Sequence, residues 1–336
     1  MDFPGEKLVI KLWETVAEKG VGGLFKPWQM RREGRASIEL KREELLAIAQ
    51  AEHDADRIRR GETLLPNRPA PALSIPNADE PPVDAGDPAQ HRQFPRAASD
   101  ILIADTLRRE ANVTRALLHA EETLEEDPQA PPEASVNDDW LYRWRDSASQ
   151  VSSEELQNLW GRLLAGEVKA PGTYSLRTLE FLRNLSQKEA EEIAQMSRFV
   201  VGEVIYKDAK EQLEGAGINF GFLSRMQQLG VIFGVDAIGL SVTWNSSEST
   251  RYVRALTSNS MVLIATADDP NHSISMPCYQ LSALGRELLR LGKFEPEVEY
   301  LKKIAEHFKT QGVEVELAKY IDISADQIQY FDSQKL

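Results

Sequence analysis

The feature that most constrains this fold is a run of prolines between residues 62 and 95. The run holds eight prolines and few large apolar side chains: Pro66, Pro69, Pro71, Pro76, Pro81, Pro82, Pro88 and Pro95. A proline has no backbone N–H to donate and its ring fixes the φ angle, so closely spaced prolines oppose regular helix and sheet. We predict an extended or flexible linker over residues 62–96, with folded parts on each side of it.

The segment before the linker begins with the periodicity of an amphipathic helix. Its apolar side chains recur every three or four residues: Val9, Leu12, Trp13 and Val16. This spacing places them on one helical face. Gly-Val-Gly-Gly at residues 20–23 ends the pattern, because glycine costs about 1 kcal/mol relative to alanine inside a helix. A second, charge-rich helix is predicted from residue 31 to about 60, so we group residues 1–61 as an N-terminal part.

A basic and aromatic segment follows the amphipathic helix, although the whole chain has a net charge of -14. Large apolar groups beside cations are typical of a segment that lies at a lipid headgroup boundary. The candidate lipid- or partner-binding residues are Leu12, Trp13, Leu24, Phe25, Lys26, Trp28, Arg31 and Arg32. We favour a second interpretation, in which the helix docks onto the protein's own core or onto a partner subunit, because Glu14 and Glu18 weaken its cationic face.

Beyond the linker, the patterns predict a mainly helical α+β protein. Helical periodicity recurs at about residues 97–126, 138–150 and 175–185. We predict a central helical bundle over residues 97–210. Ser186 and Glu189 fit a capping box, in which hydroxyl and carboxylate satisfy the first free amides of a helix. Ser152 and Glu155 fit the same pattern two helices earlier.

Residues 211–336 combine short helices with runs rich in β-branched residues, which predicts an α+β end domain. A helix at Phe220–Leu229 leads into strands, and CYQLSALGRELLRL at residues 278–291 continues from a strand into a helix. This order resembles a winged helix, a fold that often binds DNA. The helix that would enter the groove carries one cation, Arg225, whereas base and phosphate contacts need several. We therefore favour a protein-interaction or dimerisation role for this winged-helix-like domain.

The sequence offers no pattern for a catalytic, cofactor or metal site. The five histidines are scattered singly and Cys278 is the one cysteine, whereas zinc sites need Cys and His ligands at short spacing. Phosphate-binding and serine-nucleophile motifs are also missing. We predict a protein that works by binding, without a cofactor. An enzyme whose site is assembled from scattered carboxylates and histidines is the less favoured alternative.

The expected location follows from the cysteine and from the first residues. One cysteine allows no intramolecular disulfide, which suits a reducing compartment. The opening residues Met1-Asp2-Phe3-Pro4 lack the positive charge of a secretory signal. No apolar run approaches the roughly 18 to 20 residues of a membrane-spanning helix. We expect a cytoplasmic protein, peripheral at the inner membrane where its N-terminal segment binds lipid.

Several motifs resemble those of known bacterial families. These are GEKLVIKLWE at residues 5–14, LQNLWGRLLAGEV at 156–168, PGTYSLRTL at 171–179, LRNLSQKEAE at 182–191 and LSALGRELL at 281–289. Together they resemble the uncharacterised family numbered 2806 among the domains of unknown function, which implies no particular activity. The central motifs are also similar, more loosely, to the abortive-infection alpha family of phage-resistance proteins. That similarity implies a role in defence against phage.

These observations lead to one principal hypothesis and one alternative. The principal hypothesis is a non-enzymatic bacterial interaction protein, with phage defence as its process, whose N-terminal segment binds a membrane surface, a protein partner or another copy of the chain. The alternative is a nucleic-acid-binding regulator that uses the winged-helix-like domain, although the acidic net charge opposes contact with phosphates. No small-molecule substrate is evident.

Overall fold

The structure, a computed structural model, describes residues 3–19, 88–237, 239–324 and 327–336. The predicted charge-rich helix before the linker, and the linker up to residue 87, lie outside these residues. Helices combine with two antiparallel sheets, which confirms the mixed α+β class. The chain divides into two compact units, Met1–Tyr174 and Ser175–Leu336.

The first unit is built from helices in its described part. Their bounds are Glu6–Glu18 for α1, Pro88–Glu125 for α2, Asp138–Ser149 for α3 and Glu154–Lys169 for α4. Helix α2 packs against the other three helices. Gly161 permits the close approach of α4 to α2, because a Cβ atom there would lie 2.8 Å from the Ala116 carbonyl oxygen and 2.9 Å from the Ala120 nitrogen. The two helices are therefore in near-backbone contact.

Buried polar side chains also join the helices of the first unit. The Asn112 side-chain amide on α2 donates to the Ser149 carbonyl at 2.8 Å. The Gln157 amide on α4 donates to the Val151 carbonyl at 3.1 Å and to the Asn112 side-chain oxygen at 3.3 Å. Both side chains are buried, so these bonds compensate the cost of removing two amides from water.

Two predicted helix starts differ from those in the structure. Helix α2 begins at Pro88 rather than near residue 97, so residues 88–96 of the predicted linker are helical. Proline is compatible with the first helical position, because that residue has no helical acceptor for an N–H. Helix α4 is capped by Ser153 rather than Ser152, since the Ser153 hydroxyl accepts from the Leu156 amide. The capping box between Ser186 and Glu189, at the start of the helix Gln187–Ser197, is confirmed.

The second unit begins with helices and continues into strands. Its helices are α5 (Leu176–Asn184), α6 (Gln187–Ser197), α7 (Lys210–Gly215), α8 (Phe220–Gln228), α9 (Ala283–Leu289) and α10 (Val298–Lys309). Its strands are β1 (Val204–Tyr206), β2 (Ile232–Phe233), β3 (Ser241–Asn245), β4 (Tyr252–Ser258), β5 (Met261–Ala267), β6 (Ser273–Leu281), β7 (Glu314–Ser324) and β8 (Gln327–Lys335).

The strands form two antiparallel sheets. Strand β6 is central to the first sheet: its second half pairs with β1 and β2, and its first half pairs with β3. The second sheet has the order β4-β5-β7-β8. Helix α10 packs against β5 and β7 and buries Tyr300, Ile304 and Phe308. The hydroxyl of Tyr300 accepts from the Tyr206 amide at 2.7 Å, which joins α10 to β1.

The boundary between the units lies earlier than the predicted division at residues 210 and 211. Helices α5 and α6, predicted as part of the central bundle, belong to the second unit. The Ser175 amide donates to the Glu287 carboxylate at 2.7 Å, and the Thr178 hydroxyl donates to the same oxygen at 2.5 Å. These bonds tie the start of α5 to α9, a contact between distant residues that helical periodicity does not predict.

Candidate functional site

The structure places two of the predicted binding residues inside the first unit. Leu12 is 0% exposed and Trp13 is 4% exposed. Their helix, α1, packs against α2 and α4. The Gly5 amide donates to the Glu125 carbonyl at 2.9 Å, and the Lys19 ammonium lies 2.9 Å from the Asp138 carboxylate. The apolar face of α1 is thus docked on the protein's own helices, and the role of Leu12 and Trp13 in binding lipid or a partner stays a prediction.

The other predicted binding residues lie outside the part of the chain that the structure describes. They are Leu24, Phe25, Lys26, Trp28, Arg31 and Arg32. Their role in binding lipid or a partner stays a prediction. The structure does bring a different surface into view, on helix α8 of the second unit.

Helix α8 has one buried face and one exposed face. The Asn219 side chain accepts from the Phe222 amide at 3.0 Å and fixes Phe220 as the first helical residue. Phe222, Leu223 and Met226 point into the core of the unit. Phe220, the first residue of the helix, is 66% exposed. A large aromatic ring is thus presented to solvent.

The one cation of α8 is held by a carboxylate of α6. A nitrogen of the Arg225 guanidinium, Nη2, lies 2.9 Å from an oxygen of Glu192, and Nε lies 3.4 Å from the other oxygen. The guanidinium also lies 5.6 Å from the centroid of the Phe222 ring. At the end of the helix, the Gln227 amide donates to Asp236 at 2.6 Å. The charge of Arg225 is therefore compensated by Glu192, and the carboxylate of Asp236 is bound to Gln227, the last residue but one of the helix, rather than to the cation.

The sequence contained a signal for this surface that the predictions did not use. Phe222, Leu223 and Met226 have helical spacing, and Asn219 is a preferred N-cap residue. These residues predict the start of the helix and its buried face, but Phe220 lies three residues before Leu223, so this spacing alone does not set Phe220 on the solvent side. The pairing of Arg225 with Glu192 joins residues of two helices, and no local pattern predicts such a contact.

An open cleft of about 550 Å³ lies beside the same helix. Its walls come from α5, the start of α6, the end of α8 and the start of α9. The lining includes the apolar side chains of Phe181, Leu229 and Leu284, and the carboxylate of Glu189. That carboxylate accepts from the Ser186 amide at 2.9 Å and from its hydroxyl at 2.6 Å. These bonds hold the pKa of Glu189 below its ordinary value, so the carboxylate serves the helix cap.

Burial changes the acidity of two reactive side chains in the second unit. Cys278 is buried, and burial raises the pKa of its thiol, so the protonated form is favoured. Burial also raises the pKa of Tyr300. Over the described ranges, no group of three or more His, Cys, Asp or Glu side chains could hold a metal ion. Of the helices in these ranges, none has the length and apolar composition to cross a membrane.

Comparison with known proteins identifies a family. A family model described as "Protein of unknown function (DUF2806)" matches residues 98–305. No curated protein and no solved structure matches the chain. The matched range includes the motifs at residues 156–168 and 171–179, and it covers more than half of the 336 residues. The resemblance inferred from those motifs is therefore confirmed, and the chain belongs to the DUF2806 family.

Proposed function

We propose that this protein acts by binding another protein, rather than by catalysis, and that helix α8 of the second unit provides the contact. The proposal depends on two features of α8: an exposed aromatic side chain, and a cation whose charge is compensated by a carboxylate. Phe220 is 66% exposed, and Arg225 is bound by Glu192. Exposed aromatic side chains are enriched at protein interfaces and supply much of their binding energy.

The proposal includes a winged-helix-like arrangement around α8. Strand β1 is followed by helices α7 and α8 and then by β2 and β3, and these three strands each pair with β6, which follows in the chain after β4 and β5 of the other sheet. This order of a short strand, two helices and an antiparallel sheet is typical of winged helices. In such an arrangement α8 is the helix that is presented to a partner, which supports α8 as the contact surface.

The nucleic-acid alternative is less well supported by the same helix. Contacts to phosphates and base edges need free cations. Arg225 forms an ion pair with Glu192. The carboxylate of Asp236 is bound to Gln227 near the end of the helix. The chain also has a net charge of -14. A helix flanked by carboxylates repels a phosphate backbone, whereas it accepts an apolar or basic protein surface.

Copurification from the native host tests the proposal. The intact chain and a Phe220→Ser variant are each purified through the same tag, and the proteins that accompany them are compared by mass spectrometry. A Phe233→Ser variant is the matched control, because Phe233 is 43% exposed on β2 of the same unit. We expect one partner to be retained by the intact chain and the control and to be reduced at least tenfold by Phe220→Ser, as for a hot-spot residue. Equal recovery with all three would contradict the proposal.

Binding to labelled duplex DNA at low salt separates the two functions. The proposal predicts no change in fluorescence anisotropy for the intact chain. The same measurement is repeated with a Glu192→Gln variant, in which Arg225 loses its ion pair and could contact a phosphate. Tight binding by the intact chain that falls steeply with added salt would favour the nucleic-acid alternative.

The lipid and phage-defence roles stay predictions that need experiments of their own. Deleting α1 would remove part of a core, because Leu12 and Trp13 are buried. A chain with Lys26, Arg31 and Arg32 changed to Gln is therefore the better probe. If the segment binds lipid, this variant loses co-sedimentation with anionic vesicles while the intact chain keeps it. For phage defence, a phage challenge of host cells with and without the gene gives the direct measurement.

A further inference from the structure

The last strand of the second unit has exposed aromatic rings. Among the described strands, β8 lies at the edge of the second sheet and pairs with β7 on its other side. Tyr330 is 52% exposed and Phe331 is 45% exposed. Neighbouring residues of a strand point to opposite faces of a sheet, so each face of β8 presents one ring. An edge strand also offers backbone donors and acceptors to another strand.

We propose that β8 pairs with β8 of a second copy of this chain in antiparallel orientation, so that two four-stranded sheets join into one. Phe331 is the middle residue of Gln327–Lys335. A two-fold axis at this position gives full overlap and sets Phe331 opposite its counterpart. Asp332 then faces Tyr330 of the second copy, and Lys335 faces Gln327. No like charges are opposed in this register, and the contact uses the same surface on both copies.

Local charge favours a second copy over an oppositely charged partner. Strand β8 carries one acidic residue, Asp332, and one basic residue, Lys335, within a chain of net charge -14. Two copies of the chain repel each other because both have a negative net charge. This repulsion is smallest where the surfaces that meet are locally neutral, as β8 is. Aromatic side chains that face each other across two strands add further stabilisation.

The exposed area indicates a weak dimer. Ile321 is 54% exposed and lies on the face of Phe331, because Phe331 pairs with Lys319 two residues away. With about 100 Å² for each half-exposed side chain, the three apolar groups offer about 300 Å² per copy, compared with about 800 Å² per partner in a standard interface. Asp332 has a φ of 53°, which interrupts the regular edge. We expect a reversible dimer with a Kd in the micromolar range.

Sedimentation velocity of the full chain tests this proposal over protein concentrations of about 1 to 100 µM. The intact chain is expected to shift from monomer to dimer. Phe331→Lys and Phe331→Glu each place like charges across the axis, and each should weaken self-association at least about tenfold. An equimolar mixture of the two variants should recover the dimer, because lysine then faces glutamate. Phe233→Lys is the matched control on β2 and should dimerise as the intact chain does.

Circular dichroism establishes that each variant is folded, and the mixture provides a positive result that an unfolded variant could not give. A monomeric intact chain at about 100 µM, full dimerisation of Phe331→Lys, or a mixture that stays monomeric would each overturn the proposal. Partner binding by α8 is measured separately with Phe220→Ser, so either result stands without the other.

Discussion

Helix α1 of the first unit and strand β8 of the second unit both carry large apolar side chains, but these side chains lie in different environments. Leu12 and Trp13 of α1 are 0% and 4% exposed. Tyr330 and Phe331 of β8 are 52% and 45% exposed. Helix α1 is covered by α2 and α4, whereas β8 has a described neighbour on one side only. The comparison shows that an apolar face in a sequence does not tell whether the protein itself covers it.

Helix α1 and strand β8 therefore contribute to different properties of the protein. Burial of apolar surface in α1 stabilises the first unit, because each fully buried Leu or Trp is removed from water. About half of the surface of each ring of β8 is exposed to water, so burying that half against a partner would still stabilise a complex. Substitutions in α1 should therefore change the stability of the protein, and substitutions in β8 should change its association.

Replacing Leu12 by Ala should have the largest effect on stability. Leu12 is fully buried, so the substitution leaves a cavity and lowers the free energy of unfolding by about 2 to 5 kcal/mol. Urea unfolding followed by tryptophan fluorescence measures it, because Trp140, Trp144 and Trp160 lie in the core of the same unit. Ile321→Ala on β7 is the matched control, and its expected change is below about 0.5 kcal/mol. Similar losses of stability in both variants would contradict the distinction between the buried Leu12 and the exposed Ile321.

Adding one methyl group at Gly161 should have an intermediate effect. Its Cβ atom would lie within 3 Å of the Ala116 oxygen and the Ala120 nitrogen of α2, so α4 must move away. We expect Gly161→Ala to lower the free energy of unfolding by about 1 to 3 kcal/mol. In the second unit, a Cβ at Gly215 of α7 meets open space. Gly215→Ala should raise the free energy of unfolding by up to about 1 kcal/mol, because alanine is the better helix former.

Urea unfolding of both glycine variants completes this test. The first unit is tightly packed between α2 and α4, whereas the end of α7 is open. If Gly161→Ala were neutral, the two helices could separate freely, and the close packing inferred for the first unit would be incorrect.

The features that local sequence predicts are the helices with strong periodicity and the capping box. Helix α1 was predicted from its apolar spacing, and the pairing of Ser186 with Glu189 is present at the start of α6. Both depend on residues within a few positions of each other. The first cap of α4 was predicted one residue too early, since Ser152 and Ser153 offer the same hydroxyl chemistry.

The features that local sequence misses depend on contacts between distant residues. The placement of α5 beside α9 rests on Glu287, more than 100 positions from Ser175. Strand β8 was not predicted, because its strand-forming residues Ile328, Tyr330 and Phe331 are few and are followed at once by Asp332, a residue type that is depleted in strands. It pairs with β7, which supplies the hydrogen bonds that its own composition does not indicate. The charge of Arg225 is compensated by Glu192 for the same long-range reason.

The smallest effect on stability should come from a substitution in the exposed capping box of α6, and this effect should depend on pH. Two donors of Ser186 hold the pKa of Glu189 below its ordinary value of 4.5. A depressed pKa in the folded state stabilises the protein above pH 4.5, and this contribution is lost as pH falls through the folded value. Glu189→Gln should therefore lower the Tm slightly at pH 7, and the difference from the intact chain should shrink below pH 4.5.

Thermal unfolding between about pH 7 and pH 3 measures this difference, with the largest change where the carboxylate becomes protonated. Glu191→Gln is the matched control, because it removes the same charge from the same helix and its carboxylate accepts from the Gln187 side chain rather than from Ser186. A Tm difference that is independent of pH would mean that the carboxylate charge of Glu189 does not contribute to the cap. A difference that disappears on acidification would show that an exposed charge-assisted bond, far weaker than the burial of Leu12, still helps to fix where α6 begins.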